Sequence, residues 1–90
     1  MSDSVIIIPT YNEIDNVERM VRKLMSLEKE FDVLFIDDSS PDGTADTIRS
    51  LQAEFEGRVH LEEREGKLGL GTAYIHGFKW CIAAEYEFIF

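Results

Sequence analysis

Two short apolar runs each end abruptly in a cluster of polar and turn-forming residues. Val5-Ile6-Ile7-Ile8 leads into Pro9-Thr10-Tyr11-Asn12-Glu13, and Val33-Leu34-Phe35-Ile36 leads into Asp37-Asp38-Ser39-Ser40-Pro41-Asp42-Gly43-Thr44. Unbroken Val/Ile/Leu runs are the pattern of parallel strands covered by helices on both faces. They predict strands over 4–8 and 32–36. Between and after them the apolar spacing becomes helical. Ile14, Val17, Val21, Leu24 and Met25 share one face of a helix over 13–27, with Asn12 as its N-cap and Asp15 in its first turn. Ile48, Leu51 and Phe55 face inward on a second helix over 44–55, stopped by Gly57.

The rest of the chain continues the alternation. A short strand is expected over 59–61, then a charged, glycine-rich loop over 62–70. A third helix follows over 71–84, with Ala73, Phe78, Ile82 and Trp80 turned inward. Phe88-Ile89-Phe90 reads as the start of a fourth strand. The order β-α-β-α-β-α-β predicts an α/β fold, a Rossmann-like doubly wound and mostly parallel sheet. In such sheets ligands bind outside the carboxyl ends of the strands, where both polar clusters fall. Ninety residues make one small domain or part of a larger one. Because the chain stops inside an apolar run, residues 1–90 are expected to form a single partial domain. The sheet edge left there is a place where another copy can pair, so homo-oligomerisation is an expectation too.

Composition removes several classes. The hydrophobic share of 44% is that of a globular chain rather than a disordered one. Eighteen acidic against nine basic residues give a net charge of −9 and argue against a general nucleic-acid binder. The single cysteine, Cys81, excludes an internal disulfide and reads as a buried thiol. No signal-like segment and no run of about 20 apolar residues is present, so a cytoplasmic location is expected, with membrane association through a longer parent protein left open. His60 and His76 lack metal-ligand spacing with each other or with Cys81 and read as structural.

Each polar cluster offers specific chemistry. Pro9 cannot donate to a strand ladder and is expected to end the first strand. Helix 1 would then begin with unbonded amides facing the site. Tyr11 offers an aromatic face to a nucleobase, and Glu13 an acceptor for ribose hydroxyls or a base edge. The same residues also suit a plain helix start, with Asn12 capping and Glu13 complementing the dipole. Of the adjacent Asp37 and Asp38, only one easily faces a given ligand, because successive strand residues point to opposite faces. A carboxylate there can accept the ring N–H of uracil or guanine. Asp42 and Thr44 read as structural, through capping of helix 2. In the third cluster, Arg64 through Thr72, cations and glycine-freed amides suit a phosphate. Its glycine spacing matches neither a Walker A loop nor the dinucleotide fingerprint.

Together the three segments VIIIPTYNE, FIDDSSPDGT and REGKLGLGTAYIHGF resemble the start of a family 2 glycosyltransferase of the GT-A fold. The third segment is similar to that of dolichol-phosphate (polyprenol-phosphate) mannosyltransferases. The resemblance covers essentially the whole chain and implies the N-terminal, nucleotide-sugar-binding half of that domain. It implies inverting transfer of mannose from GDP-mannose to a polyprenyl phosphate at a membrane surface, assisted by Mg2+ or Mn2+. It further implies that Pro9, Tyr11 and Glu13 line the nucleotide pocket. By the same match Ile36 and Asp38 contact the base, and Arg64 and Lys67 lie near the diphosphate or sugar. The family's metal-binding Asp-x-Asp follows the fourth strand, after Phe90, so no metal ligand or catalytic residue is assigned within this chain. On its own the chain is then expected to bind nucleotide weakly, if at all, and not to catalyse. Other readings are a family 2 enzyme using another donor such as UDP-glucose, a non-catalytic nucleotide-binding or interaction domain, and a phosphoacceptor module. The last places its acidic pair after strand 1, not strand 2.

Overall fold

A computed structural model describes residues 3–65 and 69–90. Four parallel strands form one sheet in the order β3-β2-β1-β4: β1 is Ser4–Thr10, β2 Asp32–Asp37, β3 Val59–Glu63 and β4 Phe88–Ile89. Helices α1 (Ile14–Met25), α2 (Thr44–Glu54) and α3 (Leu70–Ala83) connect them. The expected doubly wound α/β architecture is present. Central β2 is buried along its whole length, and its interior, Val33-Leu34-Phe35-Ile36, is an unbroken apolar run between two buried aspartates.

Because strand side chains alternate, the sheet has a separate core on each face. On one face Val5, Ile7, Leu34 and Ile36 pack with Ala73 and Cys81 of α3. On the other, Val33, Phe35 and Val59 pack with Val17 and Val21 of α1 and Ile48 and Leu51 of α2. Cys81 is buried, as the sequence suggests, and burial pushes its thiol up to about 11. At the amino-terminal end of the sheet the fully buried Asp32 accepts a 2.5 Å hydrogen bond from the Tyr86 hydroxyl. Burial and that carboxylate both hold the Tyr86 proton on more tightly than usual.

Three local expectations are corrected. Pro9 does not end β1, which runs on to Thr10. Val5 and Ile7 bond to Phe90 on the β4 side, whereas Thr10 accepts from Asp38 on the β2 side. Pro9 has the parity of Val5 and Ile7, so its missing N–H costs the β1–β2 ladder nothing. Asn12 is not the N-cap of α1. It sits in the left-handed region at φ 56°, which asparagine tolerates, and Glu13 takes the cap position. Finally, Phe78 and Ile82 do not point inward; they are 44% and 67% exposed. The face of α3 on the sheet is Ala73, Gly77 and Cys81, four residues apart. Small residues let the helix axis approach β1 closely, and a Cβ on Gly77 would stand 2.8 Å from Ile7 Cγ2.

Candidate functional site

The carboxyl ends of β1 and β2 are tied together before any ligand is considered. Thr10 donates its hydroxyl to Asp37 Oδ1 at 2.7 Å, and the Ser40 hydroxyl and amide donate to the same carboxylate at 2.6 and 3.0 Å. Asp37 thus acts as a structural clamp on the loop after β2. The amides at the start of α1, expected to face the site unbonded, are bonded to that loop. Asn12 N–H donates to Ser40 Oγ (2.9 Å), Glu13 N–H to Thr44 Oγ1 (3.0 Å) and Ile14 N–H to Asp42 Oδ2 (3.2 Å). Asp42 also accepts from Thr44 N–H and its hydroxyl. These bonds, the Thr44 hydroxyl first, hold the Asp42 carboxyl below the usual carboxylate range. Gly43 makes the turn possible, serving as N-cap of α2 at φ 91°. One loop therefore caps two helices, consistent with the structural reading of Asp42 and Thr44.

With those amides consumed, the cavity beside them is built from side chains and from α3. A cavity of about 270 Å3 opens at the strand ends, lined on one side by Pro9, Thr10, Tyr11, Glu13 and Asp38. The first turn of α3 forms its opposite wall through Gly69, Leu70 and Ala73. Asp37 and Asp38 point apart, and Asp38 is the one that reaches the cavity. Glu13 is oriented by Asn16, whose side-chain amide donates to Glu13 Oε2 at 3.0 Å. Tyr11 lines the cavity and is 38% exposed.

Four of the residues singled out in the sequence, Pro9, Tyr11, Glu13 and Asp38, share this cavity. Ile36 does not line it. Its side chain is fully buried in the core beneath, with its backbone paired to Pro9 and Glu62. Arg64 does not line it either. Its Nε and Nη2 donate to Asp38 Oδ1 and Oδ2 at 2.7 and 2.8 Å, so it meets a carboxylate rather than open space for a phosphate. Lys67 lies outside the described residues. Thr10, Leu70 and Ala73 were not singled out. Leu70 belongs to the glycine-rich segment, whose signal concerned phosphate binding and not wall-building, and Ala73 was expected only as a core residue of the third helix. Among the described residues no group of three or more His, Cys, Asp or Glu side chains gathers to hold a metal ion, and no helix is long and apolar enough to cross a membrane.

Comparison with known proteins gives this geometry a family. An undecaprenyl-phosphate mannosyltransferase of Micrococcus luteus is 46% identical over 81 residues, 90% of this chain and 33% of that protein. A polyprenol monophosphomannose synthase of Mycolicibacterium smegmatis is 38% identical over 84 residues, 93% of this chain and 32% of that protein. The chain thus spans about a third of the length of these relatives. A mannosyltransferase from Pyrobaculum calidifontis, solved in complex with GDP-Man and Mn2+, shares the fold with a TM-score of 0.77. It is 24% identical, over 87% of this chain and 24% of that one. Residues 5–86 match the family described as Glycosyl transferase family 2, and the chain belongs to that family.

Proposed function

We propose that this chain is the nucleotide-sugar-binding half of a mannosyltransferase that moves mannose from GDP-mannose to a polyprenyl phosphate. The observation that carries it is one cavity shared by Tyr11 and Glu13 from the end of β1 and Asp38 from the end of β2. The residues divide the nucleotide between them. Tyr11 presents its ring to the base. Asp38 accepts a ring N–H, and Glu13, steadied by Asn16, accepts from the ribose hydroxyls. The names of the two longer relatives support the mannosyl donor and the lipid-phosphate acceptor.

The described residues do not fit a divalent metal, since they assemble no donor cluster. In this reading residues 1–90 form a partial domain, and the metal-binding and acceptor portions belong to a longer protein. Contact with a membrane surface would come through the lipid acceptor.

Titration of the 15N-labelled chain with GDP-mannose, GDP and UDP tests the proposal. Amide shifts are expected at Tyr11, Glu13, Asp38 and Gly69, larger for GDP than UDP at equal concentration, and Glu13→Gln and Asp38→Asn should diminish them. Shifts scattered away from the cavity would refute the site. A stronger response to UDP would transfer the reading to a family 2 enzyme with a UDP-sugar donor. Robust mannosyl transfer by the 90-residue chain alone would refute its description as a donor-binding half.

A further inference from the structure

Glu13 occupies the N-cap of α1, yet its side chain makes no capping bond. A residue at that position ordinarily turns a side-chain oxygen back onto an amide of the first turn. Here the loop after β2 serves the helix start instead: Thr44 Oγ1 accepts from Glu13 N–H and Asp42 Oδ2 from Ile14 N–H. The Asn16 and Val17 amides both go to the Glu13 backbone carbonyl, at 2.9 and 3.1 Å. The Glu13 carboxylate is thereby released from capping, and Glu13 lines the cavity.

Asn16 holds that carboxylate. Its side-chain amide donates to Oε2 at 3.0 Å, and no hydrogen bond from the described residues falls on Oε1. Asn16 is fixed in turn by Arg19, whose Nη2 donates to Asn16 Oδ1 at 2.5 Å. A guanidinium has only donors and a carboxylate only acceptors, so the amide between them fits one way round. Glu13, Asn16 and Arg19 follow one another at three-residue spacing, which makes them neighbours on one face of α1. A glutamate with no such support would lose its rotamer freedom at the moment of binding, whereas one already held has less to lose. The remaining oxygen accepts from a donor, and a ribose hydroxyl is one that a dideoxyribose lacks.

We propose that Asn16 is a positioning residue for sugar recognition. It holds Glu13 so that Oε1 meets a ribose hydroxyl, and so strengthens a preference for a ribonucleotide over one whose sugar lacks the 2′ and 3′ hydroxyls. This rests on the nucleotide reading given above and adds to it a residue outside the cavity lining and a rule of sugar selection. Thr10, Tyr11 and Asp38 line the same cavity. The test therefore follows Glu13 and Asn16 as a pair and needs no exclusive contact between Glu13 and the sugar.

The 15N-labelled chain is titrated with GDP and with 2′,3′-dideoxy-GDP, as wild type, Asn16→Ala, Glu13→Ala and the double variant. Wild type is expected to bind GDP about tenfold more tightly, the size of one hydrogen bond to a charged acceptor. Asn16→Ala should weaken GDP by about threefold, the size of ordering one glutamate side chain on binding, and leave the dideoxy nucleotide unchanged. Glu13→Ala should cut the preference for GDP, and Asn16→Ala added to it should change neither nucleotide further. If Asn16 only braces the start of α1, its loss weakens both nucleotides in parallel and does so with Glu13 absent. Either result overturns the proposal. Equal binding of the two nucleotides by wild type overturns it too, while leaving the nucleotide reading standing. No response to either nucleotide overturns that reading, and the proposal with it. Alanine suits a helix better than asparagine, so Asn16→Ala is expected to keep its Tm. If it fails to fold, Asn16→Asp takes its place, retaining the shape and losing the donor. The preference for GDP must then fall, and an unchanged preference refutes the positioning role.

Discussion

Replacing Gly77 with alanine tests whether α3 is seated on the sheet through its small-residue face. In an ordinary helix interior the change would help, by about 1 kcal/mol of helix propensity. Here the new methyl would lie 2.8 Å from Ile7 Cγ2, 3.0 Å from Cδ1 and 3.3 Å from Cγ1. Ile7 is almost fully buried in β1, and its β-branched side chain has little rotamer freedom with which to retreat. Overpacking of this kind costs about 1–3 kcal/mol. Subtracting the propensity gain leaves a net loss centred on about 1 kcal/mol, or roughly 4–8 °C in Tm for a domain of this size. Thermal and urea unfolding followed by circular dichroism would measure it. The sign should reverse in an Ile7→Ala background. That change alone costs about 2–5 kcal/mol, but it removes all three clashing atoms, so Gly77→Ala should then stabilise by about 1 kcal/mol. A rise in Tm for Gly77→Ala in the wild-type background would refute close seating of α3. The cavity is coupled to the same contact, because Gly69, Leu70 and Ala73 of the displaced helix form its wall.

Other consequences can be measured separately. Tyr86→Phe should cost about 1–3 kcal/mol, read as a lower urea midpoint at unchanged m-value, because it strips a buried Asp32 of its hydroxyl partner. An unchanged midpoint would mean that bond contributes nothing net. Asp42 ionises below its ordinary value of 3.8, so its contribution is present above that value and disappears as pH falls through the lower folded value. The Tm difference between wild type and Asp42→Ala should therefore be constant at about pH 5–8 and close below about pH 4. A difference that persists at the lowest pH would show that ionisation is irrelevant. Cys81, buried and with its thiol pushed up to about 11, should react with iodoacetamide at pH 8 only at the rate of global unfolding. Fast labelling of the native protein would contradict its burial.

The strands were readable in the sequence because burial on both faces leaves no room for polar alternation, and β2 shows this over Val33-Leu34-Phe35-Ile36. The helices α1 and α2 were readable from apolar positions recurring on one face. Helix α3 was not, since Tyr74, Ile75, Phe78, Trp80 and Ile82 make it apolar nearly all round. Periodicity then has no preferred face to report. What turned Ala73, Gly77 and Cys81 inward was the close approach to Ile7, a contact between residues distant along the chain.

The site divides in the same way. Local chemistry placed Pro9, Tyr11, Glu13 and Asp38 at strand ends, and strand ends in a parallel sheet share one edge, so their convergence was legible. Local chemistry did not reveal that Asp42 and Thr44 would consume the amides of α1, that Ile36 would sit beneath the cavity, or that Arg64 would grip Asp38. Those partnerships depend on strand order and on the register that sets Pro9 beside Ile36 and Ile36 beside Glu62. Alternation along one strand decides which face a side chain takes. Which distant group meets it there is decided only when separate strands align and a helix settles over them.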